Sequence, residues 1–164
     1  RRSSDLLLAE SEFIDIFGVE NSLTPAMDLF TKLGYLGLTC RLNTDAYLQQ
    51  IGAGHLPHGA VAVAFSHSGS SADTVKALRL AKSHGAKTIA ITNAIGAPLA
   101  SWADVTLLTG RDSHTIYGNA IFSRVADTAL VDMLYMGVIL SGYGRFSTAL
   151  DESGRMIRDR VFEN

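Results

Sequence analysis

Residues 60–65 are six consecutive apolar side chains, and this run constrains the fold of the chain more than any other segment. An unbroken apolar run of this length is typical of a strand that is covered on both faces, as in the middle of a parallel sheet. A second buried strand is predicted at residues 87–92. Between the two, residues 71–83 have the apolar periodicity of a helix, and Gly85 closes it. The segment therefore predicts a strand–helix–strand unit of an α/β domain.

The same alternation continues towards both ends of the chain. Further strands are predicted at residues 13–17, 35–39 and 104–108, and further helices at 22–33 (ended by Gly34), 44–51, 98–102 and 119–140. The last of these carries one apolar stripe: Ile121, Phe122, Val125, Ala129, Met133, Met136 and Leu140. Residues from Gly142 onward are predicted to form an arm or a last helix at 146–161. We therefore expect a single domain over residues 1–164, with its core at about 13–140. Its fold class is α/β, a three-layer doubly wound sheet of five parallel strands in a flavodoxin-like arrangement.

Composition and charge exclude several functional classes. The chain has 164 residues, with 14 lysines and arginines against 16 aspartates and glutamates, and a formal net charge of −2. Its basic residues are scattered, so this segment alone is a poor candidate for nucleic-acid binding. The single cysteine, Cys40, is predicted to be a small buried hydrophobe in a reducing compartment. Because there is no signal-peptide pattern and no apolar run of membrane-spanning length, we expect a cytoplasmic protein without a membrane partner.

Residues 66–71, Ser-His-Ser-Gly-Ser-Ser, place four hydroxyls and a glycine between a buried strand and the start of a helix. Free amides and the helix dipole attract a phosphate at such a position, and serine hydroxyls donate to it without adding charge. Gly69 would let the backbone approach the anion. Serines before a helix also act as simple caps, and Ser70 with Asp73 resembles a capping box. Four hydroxyls at one strand end nevertheless favour a phosphate site, formed by residues 18–22 and 66–71 where the winding of the sheet reverses.

Other nucleotide and metal motifs are incomplete. No glycine-rich loop is followed by Lys-Ser or Lys-Thr, which argues against a P-loop nucleotidase. Gly52 and Gly54 begin a dinucleotide-like fingerprint, but Pro57 stands where its third glycine belongs. His55 and His58 have a metal-like spacing, but no nearby carboxylate or cysteine completes a site. We therefore expect neither a metal nor a cofactor.

The serine-rich loop and its neighbours resemble one known family. Residues 66–74, Ser-His-Ser-Gly-Ser-Ser-Ala-Asp-Thr after a buried strand, resemble the Ser-x-Ser-Gly-x-Thr/Ser loop of SIS (sugar isomerase) domains. These domains bind sugar phosphates in glucosamine-6-phosphate synthase and arabinose-5-phosphate isomerases, and they form the effector domain of RpiR-type bacterial transcription regulators. The resemblance spans about residues 13–140 and includes these further segments: 91–93, 97–100, 103–105, and, specifically like the regulators, 123–126 and 130–135.

The resemblance implies a set of ligand-binding residues. In the family the serine loop binds the phosphate, and a serine after the first strand also contributes to binding. At the matching positions the expected ligands are Ser22, Ser66, His67, Ser68, Gly69 and Ser71, with Asn21, Glu20, Ser70 and His114 as secondary candidates. The family usually has Gly-x-Gly-x-Ser after its first strand, whereas residues 18–22 here are Gly-Val-Glu-Asn-Ser. Glu20 therefore brings a carboxylate near the expected anion, where it either points away or binds a sugar hydroxyl.

Three functions are compatible with these features. The first, which explains most of them, is a sugar-phosphate-sensing effector domain of a transcription regulator. Its DNA-binding helix-turn-helix domain would precede residue 1 and lie outside this sequence, so DNA would be reached only through that domain. The second is a sugar-phosphate aldose–ketose isomerase, for which His67 is the best acid/base candidate. The third is a scaffold with a vestigial pocket.

The resemblance also implies that the domain pairs, as a homodimer or a dimer of dimers. Helices that bear Phe30, Leu33, Phe122 or Met133 could supply an apolar dimer surface, unless these side chains belong to the core of the domain. In the sensor, the sugar phosphate would order the loops at 18–22 and 66–71 and so shift the dimer interface.

Overall fold

The fold is a parallel sheet with helices on both faces. The computed structural model describes residues 3–110 and 123–158. The strands are β1 (Ile14–Phe17), β2 (Cys40–Leu42), β3 (Val61–Phe65), β4 (Lys87–Thr92) and β5 (Val105–Leu108). The helices are α1 (Ser4–Ala9), α2 (Leu23–Tyr35), α3 (Ala46–Ala53), α4 (Ala72–Ser83), α5 (Val125–Ser141) and α6 (Tyr143–Met156), with 3₁₀ turns at Glu20–Ser22 and Pro98–Trp102. The sheet order is β2-β1-β3-β4-β5 and every pair is parallel, which confirms the predicted fold class.

The two faces of β3 are packed by different sets of helices. Val61, Val63 and Phe65 belong to one core, together with side chains of α1, α2, α5 and α6. Ala62 and Ala64 belong to the other core, with side chains of α3 and α4. Since alternate side chains of a strand point to opposite faces, both faces of β3 must be apolar. The unbroken apolar run of this strand therefore follows from its burial on both sides.

The predicted second strand at residues 35–39 is wrong. α2 continues through Gly34 to Tyr35, and the strand lies at Cys40–Leu42. The turn after α2 is made at Gly37, which has a φ of 72° and whose amide donates to the Gly34 carbonyl. Glycine adopts this left-handed conformation without steric cost, so Gly37 ends the helical segment rather than Gly34. Cys40 is half-buried against the core, and burial raises the pKa of its thiol to about 12.

The structure also changes the predicted helices near both ends of the chain. The sequence pattern does not predict α1, which packs against α5. α6 confirms a last helix, although it spans Tyr143–Met156 instead of 146–161. α5 begins at Val125, and residues 123–124 before it are not helical. The part of its predicted range at 119–122 lies outside the described residues.

α5 has two apolar faces, and the predicted stripe is the outer one. Val131, Leu134 and Val138 are buried against the sheet and α2. The described members of the predicted stripe are all exposed: Val125, Ala129, Met133, Met136 and Leu140. Periodicity identifies an apolar face but not the side on which the core lies.

Within residues 3–110 and 123–158, no single helix has the length and apolar character needed to cross a membrane. α5 and α6 meet that test only when taken together, and the chain bends by 116° between them.

Candidate functional site

The sheet order places the carboxyl ends of β1 and β3 side by side. β1 pairs with β2 on one side and with β3 on the other, so the winding of the chain reverses between β1 and β3. In open α/β sheets, the loops that leave two such strands enclose a crevice in which ligands bind. Here these loops are residues 18–22 and 66–71, the two segments that the sequence predicts.

A pocket of about 320 Å³ lies in this crevice. Its lining residues are Val19, Glu20, Asn21, Ser22, Ser66, His67, Ser68, Ser71, Asp73 and Arg124. Seven of the predicted candidates are thus brought together around one space. Gly69 and Ser70 lie outside the lining, and His114 lies outside the described residues. Arg124 and Asp73 are lining residues that the sequence analysis does not predict.

The serine loop, residues 66–71, is held against β4 by backbone hydrogen bonds. The Ser66 amide donates to the Ile91 carbonyl at 3.0 Å, and the Asn93 amide donates to the His67 carbonyl at 3.0 Å. The Gly69 amide closes a turn on the Ser66 carbonyl, also at 3.0 Å. The loop therefore continues the sheet for one more residue before it turns into α4, and its side chains have a fixed frame.

Gly69 is constrained by packing behind the loop. Its φ is 62°, in the left-handed region. A Cβ at this position would lie 2.3 Å from the Cβ of Ala97 and 2.8 Å from the Thr92 hydroxyl. Gly69 therefore has a structural role on the β4 side of the loop, where it is buried. Its expected role at the anion stays a prediction.

The serine hydroxyls of the loop do not cap α4. The residue before α4 is Ser71, and it makes no side-chain cap hydrogen bond. The predicted capping box of Ser70 and Asp73 is wrong, since Asp73 instead accepts from the Gln50 side chain at 3.0 Å. Ser71 accepts from the Thr74 hydroxyl, and Ser68 accepts from the Ser70 amide, each at 3.3 Å. Because both serines act as acceptors in these contacts, their own O–H groups can still donate to a ligand.

Ser22 reaches the same pocket from the other loop. It is nearly buried, and it precedes α2 without making a side-chain cap hydrogen bond. Gly18 begins this loop, and a Cβ there would lie 3.1 Å from the Ser22 carbonyl oxygen. The tight packing between these two residues turns the chain sharply after β1 and brings Ser22 to the mouth of the crevice.

Arg124 supplies a guanidinium to the pocket from the residue before α5. Its side chain is 14% exposed, and its Nε and Nη1 atoms are buried without a hydrogen-bond partner among the described residues. The nearest carboxylate is that of Asp127, which is buried and lies 4.0 Å from Nη1. In the sequence, Arg124 stands out only as part of a segment that resembles the regulators, because it lies 53 positions further along the chain than Ser71 and only the fold brings it to the loop.

His67 is a neutral side chain at neutral pH. Burial lowers the pKa of its ring, and the charge of Arg124 lowers it further, while the Asp127 carboxylate acts in the opposite direction. The Nε2 atom of His67 lies 3.4 Å from the side-chain nitrogen of Asn93. His67 therefore adds a polar but uncharged ring to the pocket wall, near the cation of Arg124 and the anion of Asp127.

Glu20 and Asp73 give the pocket wall an acidic side. Glu20 has a φ of 51°, which makes it the one non-glycine residue with positive φ in the described part of the chain. Such a conformation costs a non-glycine residue free energy and is often found at functional sites. It also explains why the resembled family carries glycine here. Both carboxylates are exposed, so water screens their charge.

A larger cavity of about 650 Å³ lies at the opposite end of the sheet. It is lined by Val61, Lys87 and Val105, the first residues of β3, β4 and β5, and by α1. Amino ends of parallel strands are not where open α/β sheets bind their ligands, so we assign the site to the smaller pocket. Within the described residues, no group of three or more histidine, cysteine, aspartate or glutamate side chains is placed to hold a metal ion.

The relatives of this chain include HTH-type transcriptional regulators. An uncharacterised HTH-type transcriptional regulator of Caldanaerobacter subterraneus is 31% identical over 96% of this chain and 56% of its own length. The HTH-type transcriptional regulator RpiR of Escherichia coli is 26% identical over 87% of this chain and 48% of its own length. The chain thus spans about half the length of the regulators it matches.

Solved structures show the same fold. The NanR protein of Vibrio vulnificus, complexed with ManNAc-6P, superposes with a TM-score of 0.89 at 24% identity, over 97% of this chain and 60% of that one. The sugar isomerase domain of an RpiR transcription factor from Sphaerobacter thermophilus has a TM-score of 0.81 at 24% identity, over 93% of this chain and 83% of that one. The family model of the SIS domain matches residues 7–137, which is most of the sequence. This chain belongs to the SIS domain family.

Proposed function

We propose that this chain is the sugar-phosphate-sensing domain of a transcription regulator. The observation that carries the proposal is the pocket at the carboxyl ends of β1 and β3, which four serines line: Ser22, Ser66, Ser68 and Ser71. The start of α4 provides amides without intrahelical partners and the positive end of a helix dipole. These groups suit a phosphoryl group, because they donate hydrogen bonds without requiring a compensating charge of their own.

The size of the pocket supports a small phosphorylated ligand. A volume of about 320 Å³ is at the lower end of the range for small-molecule sites. This volume suits one phosphorylated monosaccharide better than a nucleotide. The Vibrio vulnificus relative was solved with ManNAc-6P, a ligand of this class. No cofactor is needed for such binding.

The regulator part of the proposal rests on the relatives. Both relatives described above are HTH-type regulators that are about twice as long as the matched region. The net charge of −2 also suits a module that leaves DNA contact to another domain. The whole protein would then act in the cytoplasm, where its DNA is, and the present chain would report the sugar phosphate to the DNA-binding domain.

We further propose that the domain pairs through the outer face of α5. Val125, Met133, Met136 and Leu140 are between 51% and 74% exposed and lie along one side of this helix. Exposed apolar stripes of this kind on soluble proteins mark interaction surfaces. Of the residues expected at the dimer surface, Met133 is available for it, whereas Leu33 is fully buried in the core and is excluded.

The binding proposal is tested by thermal unfolding with a panel of sugar phosphates. A ligand at 100 times its dissociation constant should add about 2.7 kcal/mol to the free energy of unfolding. Ser66→Ala and Ser68→Ala should each weaken binding about tenfold or more, because each removes a hydrogen bond to a charged group. Ser70→Ala is the matched control, since Ser70 belongs to the same loop but lies outside the pocket lining. If no sugar phosphate stabilises the wild type, the pocket is vestigial and the proposal is wrong.

An isomerase remains the second candidate, because His67 lines the pocket and interacts electrostatically with the buried Asp127 carboxylate. A neutral histidine can remove a proton from a carbon next to a carbonyl. Incubation of the chain with each sugar phosphate that stabilises it, followed by NMR of the sugar, separates the two functions. The sensor proposal expects binding without aldose–ketose conversion. Conversion that is lost in His67→Asn would establish the enzyme instead.

A further inference from the structure

The pocket lining contains one cation and two carboxylates. Glu20 and Asp73 are acidic, and Arg124 carries the positive charge among the lining residues. The serine hydroxyls are neutral, and the depressed pKa of His67 keeps its ring uncharged near neutral pH. Without Arg124, the described lining residues would offer a phosphoryl dianion only neutral or acidic side chains. Arg124 is therefore the lining residue whose charge can attract the anion.

The unsatisfied hydrogen-bond donors of Arg124 indicate that its guanidinium binds a further partner. Nε and Nη1 are both buried and donate to no acceptor within the described residues. The carboxylate of Asp127 is 4.0 Å from Nη1, which is close enough for attraction but too far for a hydrogen bond. Buried donors without partners are unfavourable, and a native structure that keeps them commonly supplies the acceptor from a ligand or water.

We propose that Arg124 is a ligand-binding residue of this pocket and that its guanidinium pairs with the phosphoryl group held by the serine loop. The proposal rests on the proposed function. A planar guanidinium can donate two parallel hydrogen bonds to one phosphoryl group, which a lysine cannot do. Asp127 then acts as a positioning residue that holds the guanidinium towards the loop without consuming its donors.

This pairing also connects the ligand to α5. Arg124 is the residue immediately before that helix, and its carbonyl accepts from the Thr128 amide at 2.9 Å and from the Thr128 hydroxyl at 3.0 Å. A phosphoryl group bound by both Arg124 and the serine loop would therefore tie the start of α5 to the start of α4.

The test measures the binding of inorganic phosphate by NMR titration at constant pH and ionic strength. It compares the wild type with Arg124→Gln and Arg124→Lys. The expected result is a loss of affinity of at least about tenfold for Arg124→Gln, with Arg124→Lys intermediate because it keeps the charge but loses the paired donors. The matched control is Arg79→Gln, which removes the same charge outside the pocket, where Arg79 lies over the Trp102 ring. It should bind phosphate within about twofold of the wild type.

Asp127→Asn separates a ligand contact from a structural ion pair. If Arg124 only forms an ion pair with Asp127, then Arg124→Gln and Asp127→Asn will lower the melting temperature by similar amounts and leave phosphate affinity unchanged. That result overturns the inference. If Arg124 binds the ligand, Arg124→Gln will lose phosphate affinity, and Asp127→Asn will reduce it less, because the guanidinium remains and only its positioning carboxylate is lost. Should Arg124→Gln not fold, Arg124→Lys decides, since wild-type phosphate affinity in that variant contradicts paired donation. A wild type that binds neither phosphate nor any sugar phosphate contradicts the proposed function itself.

Discussion

Gly69 stands where the serine loop crosses over β4, and two separate constraints act on it. Its φ of 62° disfavours any side chain, and a Cβ would also collide with Ala97 and Thr92. Gly69→Ala should therefore destabilise the fold by about 3 kcal/mol or more, the sum of backbone strain and overpacking. Gly59→Ala is the matched control, since Gly59 has a φ of 81° with no atom within 4 Å of its Cβ position. It should cost only about 1 kcal/mol. Urea denaturation measures both, and equal losses would contradict the packing argument.

The pKa of His67 should respond in opposite directions to two neighbouring substitutions. Arg124→Gln should raise it, because a repelling cation is removed, and Asp127→Asn should lower it, because an attracting anion is removed. Two-dimensional NMR of the histidine ring against pH measures both shifts. Shifts of the same sign would show that the pKa of His67 responds to a change in burial and not to these charges.

The same depressed pKa gives His67 a defined contribution to stability. The unfolded ring has a pKa of about 6.5, and the folded ring has a lower one. As the pH falls below 6.5, the unfolded chain therefore takes up a proton before the folded chain does. The stability linked to His67 is fully present above pH 6.5 and is lost as the pH falls through the folded-state pKa.

Individual site residues could be predicted from the sequence only where they cluster along the chain. The four serines of residues 66–71 could be identified as candidate site residues because they directly follow a buried strand. Three of them line the pocket. Arg124 has no comparable local signal, since its partners are distant in sequence and become neighbours only when α5 packs on the sheet. The function of Gly69 also needed the structure, because a turn glycine and a ligand-contacting glycine have the same sequence pattern.

Among the elements, strands buried on both faces were the most predictable and the short edge strand β2 the least. β4 has the predicted bounds, and β3 differs by one residue. β2 has three half-buried residues and no distinctive pattern, so the apolar residues after Gly34 were a better match to a strand than the true one. α5 shows a different limit. Its outer stripe has the helical periodicity that usually marks a core, and only packing distinguishes the two faces.

The outer stripe of α5 should hold two copies of the chain together. Met133→Lys with Met136→Lys should convert the dimer to a monomer, because it places two charges in an apolar interface. The melting temperature of the monomer should change little, since both side chains are exposed in the single chain. Tyr47→Lys is the control, as Tyr47 is 76% exposed on α3. Sedimentation velocity distinguishes the outcomes, and a wild type that is monomeric at micromolar concentrations contradicts the proposed interface.

For the whole molecule, the topology was predictable because it follows from the order of the elements. Alternating strands and helices, two strands without polar interruption and a hydroxyl-rich turn together predict a doubly wound sheet with a site at its switch point. The exposed apolar face of α5, the cation in the pocket and the second cavity at the amino ends of the strands all depend on packing between segments far apart in sequence. They could not be read from any local pattern.

If the domain is a sensor, ligand binding and dimerisation must be linked by one coupling free energy. A saturating sugar phosphate should change the dissociation constant of the dimer by at least about fivefold, the lower end of typical coupling energies. By linkage, dimerisation must change sugar-phosphate affinity by the same factor. Sedimentation equilibrium with and without the ligand measures this change, and Ser68→Ala should abolish it at the same ligand concentration. If the dissociation constant of the dimer is the same with and without the ligand, ligand binding has no regulatory consequence through the dimer.

The hydroxyls at the end of β3 are proposed to hold a phosphoryl group. A crystal structure of the chain with the sugar phosphate that stabilises it best tests this most directly. We expect phosphoryl oxygens within about 3 Å of the Ser68 and Ser71 hydroxyls, with the Arg124 guanidinium turned towards them. A ligand bound in the cavity at the amino ends of the strands, or a phosphoryl group that touches none of the loop serines, would contradict it.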